Sequence, residues 1–319
     1  MDTVNISDLS FTRQANNLKV HVQDEGVITL QNYFANTKAG VDTIQTAQGA
    51  INLSKDAVQQ NAWFSSLVIA SDNKDTLVTT SKKNSVLIGK GGDDTIFGGN
   101  GNDTFFAQNG NDLLIGGAGN DTLYGGNAQD TLYGDNGNDS LFGGNGRDNL
   151  MGGLGNDTLY GDDGDDFLSG GKGSDTLKGG LGDDTYFVSK GDGKDTIADS
   201  DPSRSFLGFN FNTKDGGNDT IKFDQGIAKE DLSFFMKNSD LIVQYSDNDS
   251  IIIKNQNNKN AQIEKFEFSD GSYLTHEDVE RLTQQISAYG KDQGMWHIDN
   301  KTIQANNNFL TLVSSVWQA

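Results

Sequence analysis

One feature constrains this chain more than any other: an aspartate recurs every nine residues, at Asp94, Asp103, Asp112, Asp121, Asp130, Asp139, Asp148, Asp157, Asp166, Asp175 and Asp184. Two residues beyond each stands one large apolar side chain, from Ile96, Phe105 and Leu114 through Leu123, Leu132, Leu141, Leu150, Leu159, Leu168 and Leu177 to Tyr186. A helix would return its apolar face every three or four residues, and an ordinary alternating strand would carry more apolar positions than this. The spacing predicts a three-residue strand whose middle side chain points inward, Leu123 between Thr122 and Tyr124 for example. A six-residue loop then reverses the chain, and its glycines supply the positive φ and close backbone approach that a reversal needs. The chain has 40 glycines and one proline. Two strands and two loops make an eighteen-residue coil. Stacked coils give two parallel sheets facing each other over a thin apolar ladder, roughly five coils in all.

Residues eighteen apart lie above one another in such a stack, so the aspartates form columns. Asp94, Asp112, Asp130, Asp148, Asp166 and Asp184 fall on one side, and Asp103, Asp121, Asp139, Asp157 and Asp175 on the other. Carboxylates some 5 Å apart repel by about 1 kcal/mol per pair in water and by more where solvent is excluded. A cation between successive loops reverses that sign. There is no cysteine and there are only three histidines, so oxygen must do the coordinating. The net charge of −21 disfavours nucleic acid and anionic lipid and favours multivalent cations. Flexible loops offering carboxylates and carbonyls suit calcium, which takes six to eight oxygen ligands, better than magnesium, and the gaps between loops allow up to about nine ions. The unfolded chain lacks such cages, so ion binding is expected to drive folding.

These residues resemble the glycine-glycine-x-glycine-x-aspartate-x-aliphatic-x repeat of RTX, or hemolysin-type calcium-binding, proteins. The resemblance implies an all-β fold, a parallel β-roll. It also implies that backbone carbonyls of the second and fourth loop positions join each aspartate: Gly99 and Gly101, Gly117 and Gly119, Gly144 and Gly146, Gly153 and Gly155, Gly171 and Gly173, Gly180 and Gly182. Where only one of the two positions is glycine, the implied donors include Gly110, Gly126, Gly137 and Gly164. Lys90, Gln108, Asp135 and Asp162 replace second-position glycines, Ala107 a first-position one and Ala128 a fourth-position one. A carbonyl survives each change, but Ala128 is expected to strain its turn.

The flanks read as two small β-rich caps. Asp8-Leu9-Ser10-Phe11 aligns with Asp231-Leu232-Ser233-Phe234, Leu18 with Leu241, Ile28 with Ile251 and Asn32 with Asn255, all at an offset of 223. Leu241 to Tyr245 and Ile251 to Lys254 read as a hairpin joined by Ser-Asp-Asn-Asp, and Ile263 to Phe268 as a further strand before the turn Asp270-Gly271. Asp195-Thr196-Ile197 and Asp219-Thr220-Ile221 echo the repeat but fall off its register, so the roll is expected to end there. Thr275 and Asp278 form a capping box ahead of Val279, Leu282 and Ile286, which predicts a helix over 276–289. The division expected is a cap at 1–60, a connecting segment at 61–88 and the roll at 89–198. A linker with a last degenerate repeat follows at 199–225, then a second cap at 226–280 and a C-terminal region at 281–319. The segment Asp2-Thr3-Val4 looks like the end of a repeat, which suggests that the chain begins within a longer molecule.

No basic start followed by an apolar run marks an export leader, and no stretch approaches the ~18 apolar residues of a membrane span. RTX proteins carry an uncleaved C-terminal address for type I secretion, and the tail NNNFLTLVSSVWQA resembles such ends. The resemblance therefore implies export through a type I apparatus, folding in extracellular calcium, and membership of a larger toxin or hemolysin-like protein. The alternative is an extracellular adhesin or surface-layer component stiffened by calcium. The large outward residues, including Phe106, Tyr124 and Phe142, read either as a partner-binding strip or as a shield over the sheet. No enzyme signature is found: His276-Glu277 lacks the second zincin histidine, and no Gly-x-Ser-x-Gly elbow occurs. Asp201-Pro202 reads as a linker or as a self-cleaving bond.

Overall fold

The computed structural model describes residues 64–79, 84–199, 216–256, 258 and 262–292, together with isolated strands at 9–14, 17–22, 26–30, 43–46, 49–52, 205–206 and 209–210. The chain divides into two compact units, Met1–Asn145 and Gly146–Ala319. Both are built as a parallel β-solenoid.

In the first unit, Phe64–Ile69, Asn84–Gly91, Thr104–Asn109, Thr122–Asn127 and Ser140–Asn145 pair in parallel as one sheet. Thr76–Val78, Thr95–Phe97, Leu113–Ala118 and Thr131–Asn136 make the other. Residues eighteen apart are partners, as Leu123 with Leu141 and Leu114 with Leu132. All four are 0% exposed, so one apolar residue in nine makes the ladder the period predicts. The parallel pairing already includes Phe64–Ile69 and Thr76–Val78, upstream of residue 89.

The strands are longer than the sequence pattern predicts. Thr122–Asn127 spans six residues, TLYGGN, with both Leu123 and Gly125 buried. Its inward alternation runs on through the glycine pair, and the reversal shrinks to about three residues. Gly125 carries no side chain to reveal that it faces inward, and this is why apolar spacing alone misses half of the strand.

The second unit begins with the same arrangement and then departs from it. Thr158–Asp163, Thr176–Leu181, Lys194–Ile197 and Ser250–Ile253 are parallel neighbours, and Asp240–Gln244 and Ser233–Lys237 add on antiparallel. Opposite them run Asn149–Leu154, Phe167–Lys172, Thr185–Val188, Thr220–Phe223 and Lys265–Glu267, with Tyr273–Thr275 antiparallel at the end. Stacking runs on past residue 198, where the off-register pattern predicts that the regular roll ends. Asp195 stacks on Asp175 across 20 residues and Asp219 on Asp184 across 35, each through the same hydrogen bond the repeats use. Ile197 and Ile221, both 0% exposed, continue the inner ladder, followed by Ile251, Ile253 and Phe266. Register is set by the hydrogen bond and the inward side chain, not by the number of residues between them.

The helix His276–Asp292 opens with the expected cap: the Thr275 hydroxyl donates to Asp278 Oδ2 at 2.7 Å and accepts from the Asp278 N–H at 3.2 Å. Val279, Leu282 and Ile286 are its buried face. The first unit's strands Leu9–Gln14, Asn17–Val22 and Gly26–Leu30 pair antiparallel in the register of the second unit's hairpins: Ser10 faces His21 as Ser233 faces Gln244, and Leu18 faces Leu30 as Leu241 faces Ile253. The internal copy is thus a copy in strand pairing as well. The tail 293–319 and the Asp201-Pro202 bond lie outside the described residues.

Five non-glycine residues of the repeat, Lys90, Gln108, Ala128, Asp135 and Asp162, have φ between 70° and 84°. The strain expected at Ala128 is present, and four other substitutions share it. Replacing Ala128 by glycine should stabilise the calcium-loaded protein by about 1 kcal/mol, read as a rise in thermal midpoint. Leu123→Ala should cost about 2 to 5 kcal/mol by opening a void in a ladder one side chain thick.

Candidate metal centre

Each repeat aspartate turns its carboxylate into the roll, and the eleven are 0–3% exposed. One oxygen is held by the neighbouring coil: the Asp103 N–H donates to Asp121 Oδ1 at 2.7 Å, Asp94 N–H to Asp112 Oδ1 at 2.6 Å, and Asp166 N–H to Asp184 Oδ1 at 2.8 Å. The link passes along both columns in each unit. It starts at Asp75 and Ser85 in the first unit, whose N–H groups donate to Asp94 and Asp103, and in the second it ends with the Asp219 N–H donating to Glu264 Oε2 at 2.7 Å. Backbone donors thus offset part of the repulsion between stacked carboxylates.

The second oxygen is different. In Asp94, Asp112, Asp121, Asp166, Asp175 and Asp184, Oδ2 is buried and has no hydrogen-bond partner. Asp103 departs from the pattern, because its Oδ2 accepts the Gly99 N–H at 3.1 Å. Except in Asp112, whose repeat opens with Ala107, the orphaned atoms sit against the first glycine of their own repeat. A Cβ on Gly116 would stand 2.5 Å from Asp121 Oδ2 and 2.9 Å from the Gly134 carbonyl oxygen. Gly161 is placed likewise between Asp166 Oδ2 and the Gly179 carbonyl. Carboxylate and carbonyl oxygens therefore converge where a side chain would otherwise be, with no proton donor among them. This first-position glycine was assigned only to turn geometry from sequence. Its near-constant recurrence, at Gly89, Gly98, Gly116, Gly125 and onward, was the available signal.

The expected carbonyl donors also form columns. The Gly99 carbonyl lies over Gly117, Gly126 over Gly144 and Gly153 over Gly171 at the second position; Gly101 lies over Gly119, Gly119 over Gly137, Gly146 over Gly164 and Gly155 over Gly173 at the fourth. Each approach is too close for a Cβ above it. Among the described residues no three acidic or imidazole side chains by themselves make a metal centre. The donor set is one carboxylate per loop plus main-chain oxygens, a hard, oxygen-only set that fits calcium. A second ladder was not anticipated: Asn102 Oδ1 accepts the Asn120 N–H at 3.0 Å and Asn120 Oδ1 accepts the Asn138 N–H at 2.9 Å, which ties the fifth loop positions together. The asparagine before so many of the aspartates was its trace in the sequence.

Burial pushes the carboxyl groups up. Asp94, Asp121, Asp166 and Asp175 are raised to about 7 and Asp184 to about 9, by desolvation first and by neighbouring carboxylates as well, against the lowering effect of the backbone hydrogen bond. Desolvation likewise raises Asp103 and Asp112. Outside the repeats, His276 Nδ1 lies 3.0 Å from Gln256 Nε2. On the outer face of the first unit, Phe106, Tyr124 and Phe142 stack ring on ring at 4.9 and 4.7 Å, so their faces cover one another.

Geometry of this kind defines a calcium-binding β-roll. Residues 79–197 match, in overlapping windows, the family model described as RTX calcium-binding nonapeptide repeat (4 copies), and residues 240–278 match the haemolysin-type calcium binding protein related domain. Residues 79–197 are thus RTX calcium-binding repeats. No curated protein matched it. Among solved structures, the extracellular lipase LipA from Serratia marcescens is 16% identical over 58% of this chain, with a TM-score of 0.18, and the match takes in 37% of the lipase chain. No described helix is long and apolar enough to cross a membrane.

A carboxyl whose folded pKa lies above its unfolded value of 3.8 favours folding when protonated. Its contribution is present at low pH and is lost as pH rises towards about 7, or about 9 for Asp184. In chelator, strand content followed by circular dichroism should therefore fall between pH 4 and 9. With calcium present the dependence should invert, the calcium midpoint decreasing as pH rises from 5 to 7. Strand content that climbs with pH in chelator would contradict the assignment of these buried oxygens.

Proposed function

We propose that this chain is a calcium-triggered folding module of an exported protein, with a type I secretion address in residues 281–319 and a place in a larger toxin or hemolysin-like effector. The observation that carries the reading is the set of buried, donorless Oδ2 atoms of Asp94, Asp112, Asp121, Asp166, Asp175 and Asp184. An interior carboxylate without a partner is too costly to keep charged, and calcium between coils would remove that cost. The ligands in this reading are the repeat aspartates, Asp94 through Asp184, with the second- and fourth-position carbonyls of the loops between them. At low intracellular calcium the stacked carboxylates would keep the roll open and threadable. At millimolar calcium outside the cell they would draw it closed, and folding would oppose return.

Circular dichroism during a calcium titration should show a cooperative gain of β-structure that magnesium at the same concentration does not reproduce, and Asp121→Asn should move the midpoint several-fold upward. An equal response to both ions would count against the selectivity. Deletion of residues 293–319, which leaves the described helix whole, should abolish export by a type I apparatus while the purified protein still folds with calcium. Normal export with loss of attachment to cells would favour an adhesive role instead.

A further inference from the structure

Four Asn-Gly bonds lie in the repeats, at 100–101, 109–110, 136–137 and 145–146. A glycine after asparagine has no Cβ to obstruct the approach of its nitrogen to the asparagine Cγ. In such a pair the glycine nitrogen loses its proton to solvent and bonds to Cγ, the Cγ–Nδ2 bond breaks, and the amide leaves as ammonia with a proton from solvent. Water then opens the cyclic imide at one carbonyl or the other, which leaves aspartate or isoaspartate in place of asparagine. The reaction needs a side chain free to rotate and a glycine N–H free to give up its proton.

The roll treats the four bonds unequally. Asn109, Asn127 and Asn145 end successive strands of one sheet and stand in register. Their amides form a further ladder: Asn127 Nδ2 donates to Asn109 Oδ1 at 2.8 Å, and Asn145 Nδ2 donates to Asn127 Oδ1 at 2.7 Å. The attacking nitrogens are engaged as well. The Gly110 N–H donates to the Asn127 carbonyl at 3.2 Å and the Gly146 N–H to the Asp163 carbonyl at 2.8 Å. Asn109 and Asn145 must therefore break both restraints before they react. Asn136 also ends a strand, but its neighbour in register is Ala118, and its amide makes no hydrogen bond among the described residues. Asn100 lies three residues past the strand Thr95–Phe97, and neither its amide nor the Gly101 N–H is bonded among the described residues. All four asparagines are exposed, so access of water does not distinguish them.

We propose that Asn109-Gly110 and Asn145-Gly146 are modification sites shielded by the amide ladder: in the folded roll they persist as asparagine, and in the open chain they pass through the cyclic imide to isoaspartate and aspartate. Asn100-Gly101 and Asn136-Gly137 react in both states. Isoaspartate routes the main chain through the side-chain carbon and so adds a backbone atom between the carbonyls of Gln108 and Gly110, or between those of Gly144 and Gly146. A loop lengthened in this way no longer sets its carbonyls over those of the next coil. The open chain is thus on a clock, and time spent without calcium removes molecules from the pool able to fold. That irreversible branch rests on the reading that calcium closes the roll, whereas the shielding by the ladder does not.

The test follows amide loss at each Asn-Gly bond by peptide mapping and mass spectrometry, with the full chain incubated in mildly alkaline buffer containing saturating calcium or chelator. In calcium, Asn109 and Asn145 should react about tenfold more slowly than Asn100, as expected for two hydrogen bonds that must open first, with Asn136 faster than either. In chelator the four rates should converge. Asn127→Ala, which removes the rung between Asn109 and Asn145, should raise both their rates several-fold in calcium while leaving Asn100 and the circular dichroism spectrum unchanged. Equal rates at Asn109, Asn145 and Asn136 in calcium, or no response to Asn127→Ala, overturns the shielding. After storage in chelator the parent should regain progressively less β-structure when calcium is added, and the double variant Asn109→Gln with Asn145→Gln should regain more. Equal losses in the two proteins overturn the clock. Slow reaction of Asn109 and Asn145 in chelator would instead defeat the reading that the roll opens without calcium, because the ladder is judged in calcium alone.

Discussion

An oxygen anion enclosed in protein without a donor is the feature around which this molecule is arranged. Fully burying a leucine contributes roughly 1.5 to 3 kcal/mol, and an unsatisfied buried polar group costs about 1 to 3 kcal/mol, more when charged. The roll spends one large apolar side chain per nine residues and encloses one aspartate in the same span. Those two quantities nearly cancel, before any conformational entropy is counted. Stability must then come from whatever neutralises the carboxylates, and the surrounding oxygens leave a hard cation as the fitting agent. The first glycine of each repeat has a sharper role than turn flexibility, since Gly116 and Gly161 yield the space that Asp121 and Asp166 occupy.

Much of this was legible in the sequence because it depends on period. The inward ladder, the eighteen-residue stacking, the aspartate columns and the helix cap at Thr275 follow from spacing and residue type, whereas the carbonyl positions come from the resemblance to RTX repeats. What escaped has a common physical origin. Glycine facing inward looks the same in sequence as glycine in a turn, so Thr122–Asn127 was read as half its length. Asn102 and Asn120 passed as ordinary loop residues, since a main-chain partner eighteen residues away leaves no mark on composition. Asp195 and Asp219 fall off the nine-residue register because counting residues measures distance along the chain, whereas a coil is closed by the bond from Asp175 or Asp184.

The flanking hairpins show a different kind of legibility. Alignment of Leu18 with Leu241 was a statement about letters, and the pairing of Leu18 with Leu30 and of Leu241 with Ile253 turns it into one about hydrogen bonds. In the second unit this motif grows directly out of the roll: Ser250–Ile253 lies parallel to Lys194–Ile197, and its antiparallel neighbours then complete the sheet. A parallel solenoid presents an open strand edge at its last coil. Switching to hairpins ends that edge within a few short strands, with Lys237 and Asn238 at the last turn.

The two side-chain ladders run in opposite senses. Each aspartate accepts from the main chain of the coil before it, as Asp121 does from Asp103, whereas each asparagine accepts from the coil after it, as Asn102 does from Asn120. A coil therefore has two unlike faces, one offering carboxylate acceptors where the other offers amide donors. Two identical faces brought together would meet acceptor with acceptor, and only head-to-tail addition satisfies both ladders. The array is thus a polar lattice in one dimension, vectorial like a filament with distinguishable ends, and its two termini call for chemically different closures.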